Sequence, residues 1–187
     1  MKVSEPVLGG TFDFGARLSG GQYTLATTNA DVTTLRGFAQ LSWLRPMDGW
    51  QLATHATAAV SAGSGALLPQ QLVYLGGPVS GPGYDFSQFA ARGGATLRIE
   101  ARLPVPFVPV PLGRFGRVPG TAVIAPFVHV VGVSRSVTAG VPDGLYPSVG
   151  IGGLLFFDLL RVDVARGLRD GRWTFNLDVA KSFWGIL

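Results

Sequence analysis

Residues 96–103 read Thr96-Leu97-Arg98-Ile99-Glu100-Ala101-Arg102-Leu103, and this octapeptide sets the period of the chain. Successive side chains of a strand point to opposite sides, so Leu97, Ile99, Ala101 and Leu103 share one face and Arg98, Glu100 and Arg102 the other. The alternation recurs on both sides of this stretch. Leu160, Val162 and Val164 oppose Arg161, Asp163 and Ala165, and Trp173, Phe175, Leu177 and Val179 oppose Thr174, Asn176, Asp178 and Ala180. Nearer the start, Leu35, Ala39, Leu41 and Trp43 oppose Arg36, Gln40 and Ser42. The pattern predicts about eight strands, near 9–18, 33–44, 50–62, 94–103, 121–133, 147–157, 159–166 and 172–183. Most are about ten residues long, close to the ~9–11 of tilted membrane strands and above the ~5–6 usual in soluble sheets. No helix is predicted.

Composition narrows the fold class. The chain has 187 residues, a length that fits one domain spanning 1–187. It is 47% hydrophobic and only 14% charged, where soluble domains average about 25% charged. Mean hydropathy is +0.35. The richest apolar run, Leu154-Leu155-Phe156-Phe157, stops at Asp158, far short of the ~18 residues of a spanning helix. Twenty-seven glycines and thirteen prolines oppose a helical bundle. High apolarity without a long apolar run leaves a large β core, or strands that face lipid on one side.

Several function classes fall away. The absence of cysteine excludes a disulfide framework and a thiolate metal site. The net charge of +4 comes from scattered residues, with no basic cluster of the kind that binds nucleic acid. His55 and His129 have no acidic or histidine spacing that marks a metal site, so neither metal nor cofactor is expected. Gly150-Ile151-Gly152-Gly153 is followed by no helix and no Lys-Ser/Thr pair, and reads as a strand glycine tract rather than a phosphate loop. Ser134 and Ser136 lack an obvious base, and no Gly-x-Ser-x-Gly elbow occurs, so no enzyme is expected.

Connections and aromatics carry a second signal. A short turn at 45–49 and almost nothing at Asp158 contrast with long connections at 19–32, 63–93 and 134–146, the alternation of short turns and long outer loops seen in membrane barrels. The proline-rich segment 104–120 falls on the short-turn side, and the outer connection 167–171 is short. Trp43, Trp50, Tyr74, Tyr84, Tyr146, Trp173 and Trp184 sit near strand ends, where an interfacial girdle is expected. Alternation reads the same on a soluble sandwich and on a barrel. Strand length, low charge and loop asymmetry favour an all-β, antiparallel transmembrane barrel whose charged faces line the lumen.

One segment is more specific. Residues 72–86 read Leu72-Val73-Tyr74-Leu75-Gly76-Gly77-Pro78-Val79-Ser80-Gly81-Pro82-Gly83-Tyr84-Asp85-Phe86. This resembles the loop of the outer-membrane assembly-factor and two-partner-secretion superfamily, the bacterial surface antigen family. There an aromatic strand end leads to a Gly-Gly step and then a tight Arg-Gly-aromatic turn on a loop folded into the lumen. Gly76 and Gly77 match the step, and Gly83-Tyr84 the tip. Pro82 stands where the family has arginine. Phe127-Val128-His129 puts His129 where the family places the acid that the arginine reaches. Both ionic partners are replaced together, which avoids a lone desolvated charge.

The remaining pieces follow the family order. Leu97 to Pro104 resembles the strand after the loop, and 149–153 with 160–165 the penultimate hairpin. Phe175-Asn176-Leu177-Asp178-Val179-Ala180-Lys181-Ser182-Phe183 is similar to the C-terminal signal strand, which ends in an aromatic.

The resemblance implies the following. The chain is the C-terminal half of a sixteen-stranded outer-membrane barrel, with periplasmic domains upstream. Gly76, Gly77, Gly81, Pro82, Gly83 and Tyr84 form the lumen loop, and Arg98, Glu100, Arg102, His129, Arg161 and Asp163 the lumen wall. Phe175, Leu177, Val179 and Phe183 carry the strand signal. Such a protein inserts or translocates outer-membrane or secreted clients, by opening a seam and templating a client strand on its last strand, with periplasmic accessory proteins as further partners. The start of the chain lacks a signal-peptide pattern, in keeping with a mature form or a fragment. Two other readings stand beside it: a self-contained eight-stranded barrel with a structural or adhesive role, and a soluble β-sandwich or barrel binding module.

Overall fold

The computed structural model describes residues 2–25, 30–64, 67–111, 113–156 and 158–179. Ten strands are present among them: β1 (Lys2–Val7), β2 (Gly10–Leu25), β3 (Ala30–Pro46), β4 (Gln51–Gly63), β5 (Val73–Leu75), β6 (Phe89–Pro111), β7 (Arg117–Ser136), β8 (Gly144–Leu155), β9 (Leu160–Gly167) and β10 (Trp173–Val179). The only α-helix among the described residues is the four-residue α1, Gly77–Ser80. No helix is long and apolar enough to cross a membrane, which leaves crossing by strands untouched.

All strands join one antiparallel sheet in the order β1-β2-β3-β4-β6-β7-β8-β9-β10, with β5 paired to the start of β6. β5 lies along Phe89–Ala91, beyond Gly93, where β4 leaves that edge of β6. The sheet is not closed. Among the described residues β1 pairs only with β2 and β10 only with β9.

It is nevertheless strongly curled. Glu100 on β6 lies 2.7 Å from the Arg161 guanidinium on β9, although β7 and β8 lie between. Strands sit ~4.8 Å apart, so a flat sheet would hold β6 and β9 about 14 Å from one another. Twisted sheets of many strands curl in this way, and their concave side brings distant strands within side-chain reach. Asp13 of β2 and Asp178 of β10 line one cavity of about 390 Å³ on that side.

The observed strands differ from the expected eight in instructive ways. The sheet gains β1 and β5 and does not form an eight-stranded closed barrel. The stretch 19–32, expected as a long connection, is strand over most of its described residues. Polar pairs hold it, such as Thr24 Oγ1 donating to Asp31 at 2.7 Å. The proline-rich stretch 104–120 is also strand, continuing β6 and β7 as a ribbon. Proline's fixed φ suits an extended chain, and Pro104 and Pro106 occupy alternate places, which leaves the N–H groups between them free to pair with β7.

One apolar cluster lies on the concave side under the long connection 64–88: Val73, Leu75, Tyr84, Phe89, Ala91, Val131, Val133 and Tyr146. Tyr84 and Tyr146 therefore belong to a core and not to an interfacial girdle. Tyr74 and Trp173 are exposed, and Trp184 lies outside the described residues.

Candidate functional site

The concave face is built from the inward positions of β6 to β10. On β7 these are Ala125, Phe127, His129, Val131 and Val133, all buried, and on β8 Tyr146, Ser148, Gly150, Gly152 and Leu154. The outward positions of the same strands expose large apolar side chains, including Leu97, Ile99, Val128, Val149, Ile151 and Val164; on β10, Phe175 is 70% and Leu177 58% exposed. Over the Glu100–Asp163 region the polarity is inverted relative to a soluble sheet: the buried face carries the charge, beside the apolar cluster, and the outward face is largely apolar.

The charged groups form one network. Glu100 Oε1 accepts from Arg102 Nε at 2.7 Å and Arg161 Nη1 at 3.4 Å, and Oε2 from Arg98 Nε at 2.9 Å and Arg161 Nη2 at 2.7 Å. Asp163 accepts from Arg161 Nε at 3.0 Å and from Arg98 Nη2 at 3.1 Å. The two carboxylates are 4% and 2% exposed, and their lone pairs are well satisfied. Arg98 also stacks on the Phe127 ring, 3.8 Å from its centroid. Arg102 reaches Asp158 at 3.7 Å on the β8–β9 turn. Three guanidiniums thus meet two buried carboxylates, and Arg98 and Arg102 turn toward the cavity that Asp13 and Asp178 also line.

Glycines in β8 make this network possible. Gly152 stands between Ala125 on β7 and Asp163 on β9. A Cβ there would collide with Asp163 Oδ1 and lie 2.9 Å from Arg161 Nη2. At Gly150 a Cβ would lie 2.6 Å from the Phe127 ring. The bare β8 backbone is a slot through which β6 and β9 side chains meet.

One level along the strands, hydrogen-bonding side chains run in register across six neighbouring strands: Asp13, Ser42, His55, Arg98, His129 and Ser148. Ser42 Oγ and His55 Nδ1 are 3.3 Å apart. His129 is buried, and its Nδ1 and the Ser148 Oγ have no hydrogen-bond partner among the described residues. No group of three His, Asp or Glu side chains could hold a metal ion among the described residues.

The loop after β5 crosses this face and reaches the far edge of the sheet. Gly76 and Gly77 have φ of +110° and +83°. A Cβ at Gly76 would strike the Asp85 carbonyl, so this step has room only for glycine. Gly77 N–H donates to the Tyr84 carbonyl at 3.1 Å, Gly81 N–H to the Gly77 carbonyl at 3.0 Å and Tyr84 N–H to the Gly81 carbonyl at 3.0 Å, which closes the tip. Gly83 (φ +98°) packs on β8 and β9; a Cβ there would lie 2.7 Å from Ser148 Cβ and 2.9 Å from Gly167 N.

Three contacts anchor the loop. Gly83 N–H donates to Thr174 Oγ1 on β10 at 2.9 Å, Tyr84 Oη–H to the Pro147 carbonyl at 2.7 Å, and Arg172 Nη1 to Asp85 at 2.7 Å. Tyr84 is 1% exposed and meets Phe89 and Tyr146 edge-on, with ring centroids 5.2 and 5.8 Å away. Burial pushes its phenol above the ordinary value, so at neutral pH it remains a donor.

The wall residues expected from the sequence divide in two. Arg98, Glu100, Arg102, Arg161 and Asp163 form the network, while His129 takes no part in its ion pairs and lies in the polar row. The loop residues Gly76, Gly77, Gly81, Pro82, Gly83 and Tyr84 all lie buried on the concave side. Phe175, Leu177 and Val179 project outward on β10, and Phe183 lies outside the described residues. Sequence reasoning missed Asp85, Arg172, Thr174 and Pro147 as anchors, and the Ser42–His55 contact; strand alternation reports a residue's face but not its partner 90 positions away. No family model matches the sequence, and no curated protein matches it.

Proposed function

We propose that the chain is a segment of an outer-membrane β-barrel of the assembly-factor type, acting in the insertion or translocation of outer-membrane or secreted proteins. The observation that carries this reading is the inverted polarity of the sheet. The Glu100 and Asp163 carboxylates are buried in an ion network on the concave face, while Leu, Ile, Val and Phe side chains stay exposed on the convex face of β6, β7, β8 and β10, with Val164 on β9. Water penalises that arrangement and hydrocarbon rewards it, because apolar surface prefers lipid and charges prefer a polar lumen. The glycine–tyrosine loop laid across the concave side supports the assembly-factor type within the barrel class.

The proposed action is non-covalent. Among the described residues β10 pairs with β9 alone, and its other edge would offer backbone N–H and C=O groups to a client strand. The loop holds that edge strand in place from the concave side through Gly83–Thr174 and Asp85–Arg172. The client strand in this reading completes part of the ring that the two free edges leave open.

The test is refolding of residues 1–187 in detergent, read by semi-native electrophoresis and circular dichroism. The expected result is β-rich, protease-resistant protein in detergent micelles and aggregation in plain buffer. A monodisperse, folded protein in plain buffer would overturn the membrane reading. A cysteine at Asn176, inward on β10, should then crosslink to cysteines in a co-folding client strand and not to a folded, closed barrel.

A further inference from the structure

We infer that the proline-rich ribbon at the end of β6 and β7 is a membrane-interface anchor, which docks on the phospholipid leaflet at the short-turn end of the sheet. The inference rests on the membrane reading above and adds to it a second, separate lipid contact.

The ribbon is set apart by pairing. β4 stops at Gln51, opposite Arg102, and β8 pairs no further along β7 than Val123, opposite Pro104. From Val105 to Pro111 on β6, and from Arg117 to Ala122 on β7, the two strands pair only with each other. At ~3.3 Å per residue the ribbon extends about 20 Å past its neighbours. It leaves the sheet at the end that carries the turns 8–9, 47–50 and 156–159, opposite the long connection 64–88. At its root Phe107 meets Phe156 of the last of these turns, with ring centroids 6.3 Å apart.

Its chemistry changes at the same place. Up to Arg102 the two faces of β6 differ, charged inward and apolar outward. Beyond it both faces are uncharged: Leu103, Pro104, Pro106, Phe107, Val108 and Pro109 are all exposed. Between Leu103 and Val128 the sequence holds no acidic residue and two arginines, Arg114 and Arg117, both at the tip. A strand that lined only an aqueous lumen would not need two apolar faces.

The edges narrow the choice of occupant. Prolines at 104, 106, 109 and 111 have no N–H to offer, so the β6 edge of the ribbon cannot take up a client strand along its length. Recognition on that side must go through the exposed side chains. The outward stripe Leu97, Ile99, Leu103 and Phe107 runs from the convex apolar face directly onto the ribbon. A surface continuous with the lipid-facing side and apolar on both faces matches the acyl region beneath the headgroups.

The chain has no cysteine, so single labels report one place each. Val108→Cys, Leu177→Cys on the convex face and Ala139→Cys in the connection at the opposite end are each given a nitroxide and reconstituted in phosphatidylcholine–phosphatidylglycerol vesicles. Relaxation is then measured with oxygen, which partitions into lipid, and with a nickel chelate, which stays in water. The expected result is an oxygen-dominated response at 108 and 177 and a nickel-dominated one at 139. Nickel dominance at 108 with oxygen dominance at 177 overturns the anchor and leaves the membrane reading standing. Nickel dominance at both overturns the two together. Shielding of 108 from both reagents means that protein covers the ribbon, and this also overturns the anchor. Phe107→Cys repeats the measurement should Val108→Cys fail to reconstitute.

Discussion

The two ends of the sheet are made of the same kind of strand and are buried very differently. β7 from Ala125 to Val133 and β9 from Asp163 to Gly167 alternate between buried residues and more accessible ones, whereas the residues of β2 from Ala16 to Gln22 are exposed on both faces. The difference is not in the alternation itself but in what lies on the concave side. Over β6 to β10 there are the arginine–carboxylate network and the loop with Tyr84 at its tip. Over β2 and β3 the described residues place the flank of the connection after β4, held by Tyr23 Oη donating to Gln71 at 3.0 Å and Gln71 Nε2 donating to Thr34 at 3.3 Å. A strand forms from its local pattern; it becomes core only where something covers it.

If the network is what separates the ends, the largest loss should come from removing its most shared group. Glu100→Ala leaves the half-buried Arg98 and Arg161 sharing Asp163 alone and Arg102 with only Asp158, and should cost about 3–5 kcal/mol, read as a lowered denaturant midpoint in detergent. Asp13→Ala on β2, with no ion pair of its own among the described residues, should stay within about 0.5 kcal/mol. Equal losses would break the comparison.

The glycine slot gives the next effect. Gly152→Val drives a side chain into Asp163 and Arg161 and should cost about 1–3 kcal/mol. Gly37→Ala on β3, where the nearest side-chain atom to an added Cβ is Val60 Cγ1 at 3.3 Å, should cost under about 1 kcal/mol in the same assay.

The loop anchors are individually smaller. Tyr84→Phe leaves the Pro147 carbonyl without its phenol donor and should cost about 1 kcal/mol, seen as faster hydrogen exchange across 77–84. Arg172→Ala breaks an ion pair whose partners are 60% and 53% exposed; it should cost no more than about 0.5–1 kcal/mol, and 1 M salt should abolish the difference.

The smallest effect expected is a pH response of the connection 137–143. Asp143 accepts the Ser136 and Arg135 backbone N–H groups at 2.7 and 2.8 Å, and these bonds hold its carboxyl below the ordinary carboxylate value. A depressed folded-state pKa stabilises above the unfolded value and fades as the pH falls through the folded one. The protection factors of the 135 and 136 amides, with the intrinsic pH dependence of exchange divided out, should therefore be high at neutral pH and fall in acid, and Asp143→Asn should remove that dependence.

Much was legible in the residues alone. Arg98, Glu100 and Arg102 share a face because alternation has a period of two, and a mixed-sign face in a chain this poor in charge has to find its partners internally. Gly76-Gly77 and Gly83-Tyr84 marked a loop of special geometry. The prolines misled: they punctuate most strands, but in a ribbon with free edges a missing N–H removes nothing that was paired. The stretch 19–32 misled for the opposite reason, since polar cross-strand pairs extended the hairpin past the place where apolar alternation ended.

What the chain determines by itself is therefore local: extended segments, the polarity of their two faces, the absence of thiol chemistry, and a glycine-rich loop. Only the tertiary structure decided that Glu100 meets Arg161 across two intervening strands, that Gly152 stands aside to allow it, and that Thr174 and Arg172 hold the loop. It also left the sheet open at β1 and β10. The reason is geometric: alternation is set between neighbours along the chain, whereas curvature accumulates over the whole sheet and alone brings residues 60 to 90 positions apart into contact.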